Sequence, residues 1–249
     1  MERTSSFILN QFEQPVGQDL PDWTPRHRPE PLAWQGQYCR LEPFSAALHG
    51  DSLIAAYAGS DAREWTYLPV GPFGDESAWR AHFAQMEASR DPLHFAIVDQ
   101  SSGQALGSVS LMRQDPLNGC IEVGYVQYSP RLKQSRLATE AQYLLMQYAI
   151  AELGYRRYEW KCDALNGPSR AAAQRLGFQF EGIFRQAIVY KGRTRDTAWF
   201  SLIDSEWPSL AVILQQWLAA DNFDADGRQR VSLSTLTRIW RAQQESGIA

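Results

Sequence analysis

Residues 160–178 read WKCDALNGPSRAAAQRLGF and contain the end of a strand, a loop and a short helix. The alternation through YEWKCD predicts a strand over 157–163. An Ala-rich helix is predicted over 168–176, and Gly177 ends it, since glycine tolerates the backbone conformation that closes a helix. Lys161, Cys162 and Asp163 stand in succession before this helix, which raises the question of a nucleophile or a metal site.

Outward from this stretch, apolar periodicity predicts further strands and helices on both sides. Strands are predicted at 37–44, 94–100, 105–113, 120–130, 157–163, 178–190 and 197–204, and helices at 45–58, 75–89, 137–152 and 168–176. Several strands follow one another without an intervening helix. This order indicates an α/β fold with a mixed sheet and not a doubly wound parallel sheet.

The two ends of the chain differ in composition from its middle. Residues 15–36 contain five Pro and two Gly. We predict that residues 1–36 form an extended arm, because proline fixes φ and removes a hydrogen-bond donor. Residues 209–249 have helical spacing interrupted at 221–228, which predicts a helical C-terminal extension. The predicted central domain therefore covers residues 37–208.

The overall composition is that of an ordinary globular protein, with 44% hydrophobic residues, 21% charged residues and a net charge of −4. No basic stripe is present, so we expect no nucleic-acid partner. No apolar run reaches about 18 residues, so we expect no membrane span. The N-terminus has no apolar stretch of signal-peptide length, which favours a cytoplasmic location. Three well-separated Cys argue against a disulfide framework.

No metal is predicted from the ligand-type residues. The four His are scattered without the spacing of a zinc site. The stretch NFDADG (222–227) matches the first half of a calcium-binding loop. The twelfth position of such a loop needs a bidentate Glu, and here it is Leu233. An Asx turn that caps a helix is the better interpretation of this stretch.

Three motifs in a fixed order resemble the GNAT acyltransferase superfamily, and within it the RimJ/RimL-like branch. They are IEVGYVQYSP (121–130), KQSRLATEA (133–141) and NGPSRAAAQRLGFQFEG (166–182). The resemblance covers about residues 37–208. It implies a GNAT fold with about seven mostly antiparallel strands, helices on both faces and a splay between the fourth and fifth strands. It also implies acetyl transfer from acetyl-CoA to a primary amine.

The resemblance places the acetyl-CoA site at the helix that follows the 121–128 strand. In the family, a Gln/Arg-x-x-Gly-x-Gly/Ala loop binds diphosphate through backbone N–H groups at that helix N-terminus. This chain has Lys133 at the first position of the pattern and Arg136 where the pattern has Gly. Without the flanking motifs, the same residues would be interpreted as a solvated basic loop. The implied cofactor contacts are Val126, Tyr128, Lys133, Gln134, Ser135, Arg136, Leu137, Ala138, Thr139, Asn166 and Ser169.

In this family the amine attacks the thioester directly, so no covalent intermediate is needed. The resemblance makes Glu122 the general base, acting through water, with Asp163 and Glu181 as rivals. The alternative is that Glu122 is a strand-edge residue paired with an arginine. Backbone N–H groups of the 121–128 strand would stabilise the oxyanion.

The general acid that reprotonates the leaving thiolate is less well defined. Many family members place a Tyr four residues before the Gly, and this chain has Ala173 there. Ser169 and Cys162 are the catalytic candidates for this role, beside Tyr190 and water. Cys162 is otherwise a small buried side chain, and Asn166 and Ser169 are otherwise ordinary choices at a helix start.

The acceptor pocket is predicted between the loop 64–73 and the hairpin around residue 190. Its candidate walls are Trp65, Tyr67, Trp160 and Tyr190, each of which is otherwise ordinary aromatic core. The acceptor is then a protein N-terminus or a small-molecule amine. The alternative function, from another class, is a non-catalytic acyl-CoA-binding or sensing module. A homodimer is a candidate assembly.

Overall fold

The structure, a computed structural model, describes residues 7–246 of the chain. Its strands are β1 (Phe7–Leu9), β2 (Pro15–Gly17), β3 (Trp34–Gln35), β4 (Cys39–Pro43), β5 (Leu93–Asp99), β6 (Ala105–Asp115), β7 (Cys120–Tyr128), β8 (Arg157–Asp163), β9 (Gln179–Tyr190) and β10 (Arg193–Ile203). Its α-helices are α1 (Ala46–Tyr57), α2 (Glu76–Ala88), α3 (Arg136–Met146), α4 (Gly167–Arg175), α5 (Trp207–Leu218) and α6 (Leu233–Ser246).

Eight strands form one sheet in the order β3–β4–β5–β6–β7–β8–β10–β9. Neighbouring strands are antiparallel except β7 and β8, which are parallel. Parallel neighbours need a crossover, and α3 supplies it. The predicted mixed sheet is therefore confirmed. It has eight strands where about seven were expected, because residues 34–35 of the predicted arm pair with β4 as an additional edge strand.

Alternate side chains of β5 enter two separate cores, as the two-residue period of a strand requires. Phe95 and Ile97 join the larger core, which contains buried residues of α3, α4, α5 and α6. Ala96 and Val98 join the smaller core under α1 and α2. The buried residues of the smaller core include none from β7, β8, β9 or β10. On that face, the smaller core therefore does not extend over the splayed half of the sheet.

The long helix predicted over 137–152 changes its hydrogen bonding midway. It is α-helical over Arg136–Met146 and continues as a π-helical turn over Gln147–Glu152. Ser135 caps its start, since its Oγ accepts a hydrogen bond from the N–H of Ala138 at 3.1 Å.

Glu140 ties the start of β4 to α3. Its carboxylate accepts hydrogen bonds from the N–H groups of Gln37, Tyr38 and Cys39, each 2.7 Å long. A Cβ at Gly36 would lie 2.4 Å from Cδ of Glu140, so a side chain there would displace this carboxylate. The Glu140 carboxylate therefore fixes the first strand of the central region against the helix that begins at residue 136.

The two ends of the chain contain structure of their own. In the predicted arm, β1 and β2 form a separate two-stranded ribbon. In the predicted extension, Leu214 of α5 and Trp240 of α6 are buried in the larger core. The first six residues of that arm and the last three of that extension lie outside the described residues. Across residues 7–246, no helix is both long and apolar enough to cross a membrane.

Candidate active site

The sheet opens between β7 and β8. The two strands pair from Cys120 with Arg157 to Val123 with Trp160, and no pair follows. Beyond that point β8 continues beside β10 as far as Asp163. β7 continues beside β6 through a register shift at residues 125–126, where Tyr125 has a φ of 47°. This bulge bends β7 away, so residues 124–128 face a gap that β8 does not fill.

The start of α3 presents backbone N–H groups without a protein acceptor. The amides of Lys133 and Ser135 bond to carbonyl oxygens within the loop, and that of Ala138 bonds to Ser135. The amides of Gln134, Arg136 and Leu137 have no acceptor among the described residues. Free N–H groups at a helix N-terminus, with the positive end of the helix dipole, are suited to bind an anion.

The loop before α3 keeps this shape without the glycine that the family pattern contains. Arg136 lies inside the helix with a negative φ, so glycine is not required there. The left-handed residue is instead Gln134, with a φ of 57°. The Nζ of Lys133 lies 2.9 Å from Oε2 of Glu64, which links this loop to the loop after α1.

Two arginines flank the first turn of α3, and each stacks on an aromatic ring. Arg136 lies over Tyr38 at 4.3 Å and over Phe223 at 5.3 Å. Arg175 lies over Trp217 at 4.9 Å, and its Nη1 donates to Oγ1 of Thr139 at 3.0 Å. Within residues 7–246, neither guanidinium has a carboxylate within 4.0 Å. These cations and the free amides together form a site suited to an anionic group.

The remaining predicted cofactor contacts lie on β7 and at the start of α4. Val126 is packed at the edge of the larger core, and the hydroxyl of Tyr128 accepts a hydrogen bond from Nε2 of Gln142 at 2.7 Å. Asn166 caps α4, since its Oδ1 accepts from the N–H of Ser169 at 3.2 Å. The Oγ of Ser169 accepts from Nε1 of Trp160 at 3.0 Å. Asn166 and Ser169 therefore both make hydrogen bonds that stabilise the fold.

Cys162 is 6% exposed on the face of β8 that enters the larger core. Burial raises the pKa of its thiol, and the hydrogen bond with Ser169 opposes that shift. A protonated thiol is a poor nucleophile. The environment of Cys162 thus agrees with a small buried side chain.

Glu122 is buried on the opposite face of the sheet among charged groups. Its Oε2 lies 3.0 Å from Nζ of Lys161 and 3.2 Å from Nε of Arg113. Burial raises the pKa of the Glu122 carboxyl, and the positive charges of Lys161 and Arg113 oppose that rise. The pairing with an arginine that the sequence left as an alternative is therefore present, together with a lysine.

The rival carboxylates have other fixed partners. Asp163 accepts hydrogen bonds from the hydroxyl of Tyr190 at 2.8 Å and from the N–H of Leu165 at 2.8 Å. Glu181 binds Arg157 through both oxygens, at 2.8 and 2.6 Å. The hydrogen bonds from Arg157 lower the pKa of Glu181, which makes it a weaker base.

The four predicted pocket walls separate into two groups. Trp65 and Trp160 are 5% and 6% exposed and pack in the smaller and the larger core. The structure therefore places them in aromatic core, because each ring is enclosed by other core side chains. Tyr67 and Tyr190 are half-buried; the Tyr67 hydroxyl donates to the carbonyl of Leu165 at 3.2 Å, and both tyrosines flank the end of β8.

Sequence reasoning missed the neighbours of Glu122. Lys161, Glu159 and Trp199 lie on the same face, but the parallel register that brings Glu122 opposite Glu159 is not visible in one sequence. It also missed His94, which is buried beside the ring of Tyr125 at 5.3 Å. Burial lowers the pKa of His94 to about 4, so its ring is neutral and weakly basic. The alternation of side chains along β5 and β8 would have shown which residues share a face of the sheet. It would not have shown which of them are in contact.

Comparisons with known proteins identify the class. The profile of the family described as "Acetyltransferase (GNAT) domain" matches residues 39–179. The crystal structure of a GCN5-related N-acetyltransferase from Brucella melitensis is 49% identical, with a TM-score of 0.86, over 88% of this chain and 100% of that one. The uncharacterized N-acetyltransferase p20 from Bacillus licheniformis is 28% identical over 63% of this chain and 89% of its own length. RimL, a ribosomal L7/L12 alpha-N-protein acetyltransferase, is similar in fold, with a TM-score of 0.57 and 20% identity over 68% of this chain and 91% of that one.

The chain therefore belongs to the GNAT acetyltransferase family and is an acyltransferase enzyme. The predicted family, fold and enzyme class are confirmed, and RimL shares the fold. Enzymes of this family take their acetyl group from acetyl-CoA. The alternative of a non-catalytic binding module is set aside. In the part of the chain that the structure describes, no group of His, Cys, Asp and Glu is arranged to hold a metal ion.

Proposed function

We propose that the enzyme transfers acetyl from acetyl-CoA to the primary amine of a peptide N-terminus or a small molecule, by direct attack. The observation that carries this proposal is the end of β7–β8 pairing at Val123 and Trp160. The buried carboxylate of Glu122 lies one residue before that point. The proposed base therefore lies where the sheet opens, and residues 124–128 have no strand partner on the β8 side.

In this proposal the chain holds acetyl-CoA along two elements. The free amides of Gln134, Arg136 and Leu137 bind the diphosphate, with Ser135 capping the helix and Lys133, Ala138 and Thr139 shaping its first turn. Val126 and Tyr128 on β7, and Asn166 and Ser169 at α4, border the gap that takes the pantetheine arm. When bound, acetyl-CoA supplies the activated acetyl thioester and a thiol leaving group.

The roles of the remaining groups follow from the chemistry. The neutral amine attacks the thioester carbonyl, a carbon–nitrogen bond forms, and the carbon–sulfur bond breaks. Glu122 takes the proton of the amine through a water molecule. Backbone N–H groups of β7 beyond Gly124 stabilise the negative charge that develops on the carbonyl oxygen. The thiolate gains a proton from water, Ser169 or Cys162, so the reaction consumes no external acid.

Tyr67 and Tyr190 border the acceptor side of the proposed site. We assign this chemistry to residues 37–208, with the arm and the extension as additions.

Thermal unfolding with and without acetyl-CoA tests the binding half of the proposal. Ligand at about 100 times its dissociation constant adds roughly 2.7 kcal/mol of stability, which is a rise in Tm of about 5 to 10 °C at this chain length. Adenosine is the control and is expected to give no such rise. A panel of free-amine peptides, their Nα-acetylated forms and polyamines, read by thiol release, then tests transfer. Failure of every amine in the panel to release thiol would contradict the proposed acceptor class.

A further inference from the structure

A charged cluster occupies the face of β7, β8 and β9 that the smaller core leaves uncovered, and it includes Arg113 near the end of β6. It consists of Arg113, Glu122, Arg157, Glu159, Lys161 and Glu181. Lys161 lies at its centre and has a side chain that is only 7% exposed. Its Nζ lies 3.0 Å from Glu122, 2.6 Å from Glu159 and 4.0 Å from the centroid of the Trp199 ring.

The strand register explains why a cation is needed there. Glu122 and Glu159 are direct partners across β7 and β8. Like charges at directly opposed positions of two strands are destabilising. Lys161, two residues beyond Glu159, reaches both carboxylates and separates their charges. Trp199, its partner on β10, covers the ammonium from the other side.

We propose that Lys161 is a positioning residue for acetyl transfer: its ammonium bridges Glu122 and Glu159 and so keeps the Glu122 carboxylate ionised and fixed beside the gap. This inference rests on the proposed function, in which Glu122 accepts the proton. Lys161 itself touches no reacting atom in this account. Its effect passes through the charge and the orientation of Glu122.

Each element around Glu122 contributes a charge with a defined sign. Arg113 on β6 and Lys161 on β8 favour the ionised form of Glu122, and Glu159 on β8 opposes it. Arg113 has a side chain that is 57% exposed, so water screens its charge more than that of Lys161. Glu159 has a second partner, Arg157, at 2.7 Å, and therefore stays paired when Lys161 is removed.

The test compares the pH profiles of kcat/KM for three variants. Lys161→Met keeps the length of the side chain and removes its charge. The acid limb of its kcat/KM profile is expected to move to higher pH by about one to three units. A shift of this size is typical when a carboxylate loses an opposite charge within hydrogen-bond distance. Lys161→Arg keeps the charge, and the acid limb of its profile is expected to lie at the same pH as in the wild type. Glu159→Gln removes the opposing charge and is expected to move the limb to lower pH.

A second readout requires neither acetyl-CoA nor turnover. NMR of protein carrying ¹³C-labelled Glu carboxyl groups gives the titration of Glu122 directly, with Glu122→Gln assigning its resonance. The Lys161→Met variant is expected to shift that titration in the same direction as the kinetic limb. Thermal unfolding confirms that each variant is folded.

The outcomes separate this inference from the proposed function. If Lys161→Met changes neither the acid limb of kcat/KM nor the NMR titration of Glu122, the proposed role of Lys161 is overturned. Equal shifts in Lys161→Met and Lys161→Arg would also overturn it, because they would indicate packing and not charge. If Glu122→Gln abolishes turnover while Lys161→Met has no effect, only the inference fails. If Glu122→Gln leaves turnover unchanged, the proposed base fails, whatever Lys161 does to the resonance.

Discussion

Oε2 of Glu122 lies 3.0 Å from Nζ of Lys161 across the parallel strands β7 and β8, and both side chains are 7% exposed. The pair lies at the last stretch where these strands are joined; beyond Val123 and Trp160 the sheet opens. One end of the gap therefore has a buried carboxylate held by a lysine, and the start of α3 has free backbone amides. In the proposed function, this carboxylate is the general base and these amides hold the anionic part of the cofactor.

The acid limb of kcat/KM is expected to lie above the ordinary range of a glutamate. Burial raises the pKa of Glu122, and a general base acts only in its ionised form. Activity should therefore be absent at pH values below this raised pKa and appear as the pH rises through it. The measurement is a pH series of initial rates of thiol release at low amine concentration. A limb at or below the usual pKa of a glutamate would contradict the assignment.

Ser135→Ala is expected to weaken acetyl-CoA binding and destabilise the protein. The variant loses the hydrogen bond from the N–H of Ala138 that holds the first turn of α3, at a cost of about 1 kcal/mol. Calorimetry and thermal unfolding measure the two effects. Ser45→Ala is the matched control, because Ser45 precedes α1 without a side-chain capping hydrogen bond. Equal binding by both variants would show that the α3 start does not hold the diphosphate.

Cys162→Ala is expected to retain turnover within about tenfold of wild type, which corresponds to a change in the activation barrier of less than about 1.4 kcal/mol. Direct attack uses no enzyme nucleophile, and burial raises the pKa of this thiol. Steady-state rates measure the change. Mass spectrometry of the wild-type enzyme with acetyl-CoA alone should detect no acetylated Cys162. A loss on the order of 10⁶-fold would instead indicate a covalent mechanism.

Glu140→Ala is expected to destabilise the protein by about 3 kcal/mol or more, because the N–H groups of Gln37, Tyr38 and the buried Cys39 all lose their acceptor. At this chain length the Tm should fall by roughly 6 to 12 °C. Glu152→Ala, at an exposed position on the same crossover, is the control. A fall in Tm no larger than that of the control would refute the structural role of Glu140.

Sequence patterns predicted the elements well and their side-chain contacts poorly. The strand over 157–163 was predicted with the bounds that the structure has, and the helix predicted over 168–176 is observed at Gly167–Arg175. These predictions succeeded because periodicity and glycine stops are local properties. The bridge of Lys161 between Glu122 and Glu159 depends on the register of two strands that the α3 crossover separates in sequence. The same limit applies to Trp65 and Trp160, since a sequence does not distinguish an aromatic wall from aromatic core.

The positions of Arg136 and Arg175 show this limit again. The sequence placed Arg136 in the cofactor loop, and the structure places its guanidinium on Tyr38 and Phe223. Phe223 comes from the C-terminal extension, and so does Trp217, which lies beneath Arg175. No local pattern connects the extension to the first turn of α3. Only the packing of α5 and the turn after it brings these rings there.

The most direct measurement is the rate of thiol release by Glu122→Gln at saturating acetyl-CoA and a saturating amine, at a pH where wild-type activity is maximal. Loss of the base should lower kcat by about 10²- to 10⁴-fold, while calorimetry shows unchanged affinity for acetyl-CoA. The deficit should shrink as the pH approaches the pKa of the free amine, because solvent then deprotonates the acceptor. A kcat equal to that of wild type would contradict the account that Glu122, at the opening of β7 and β8, accepts the proton of the amine.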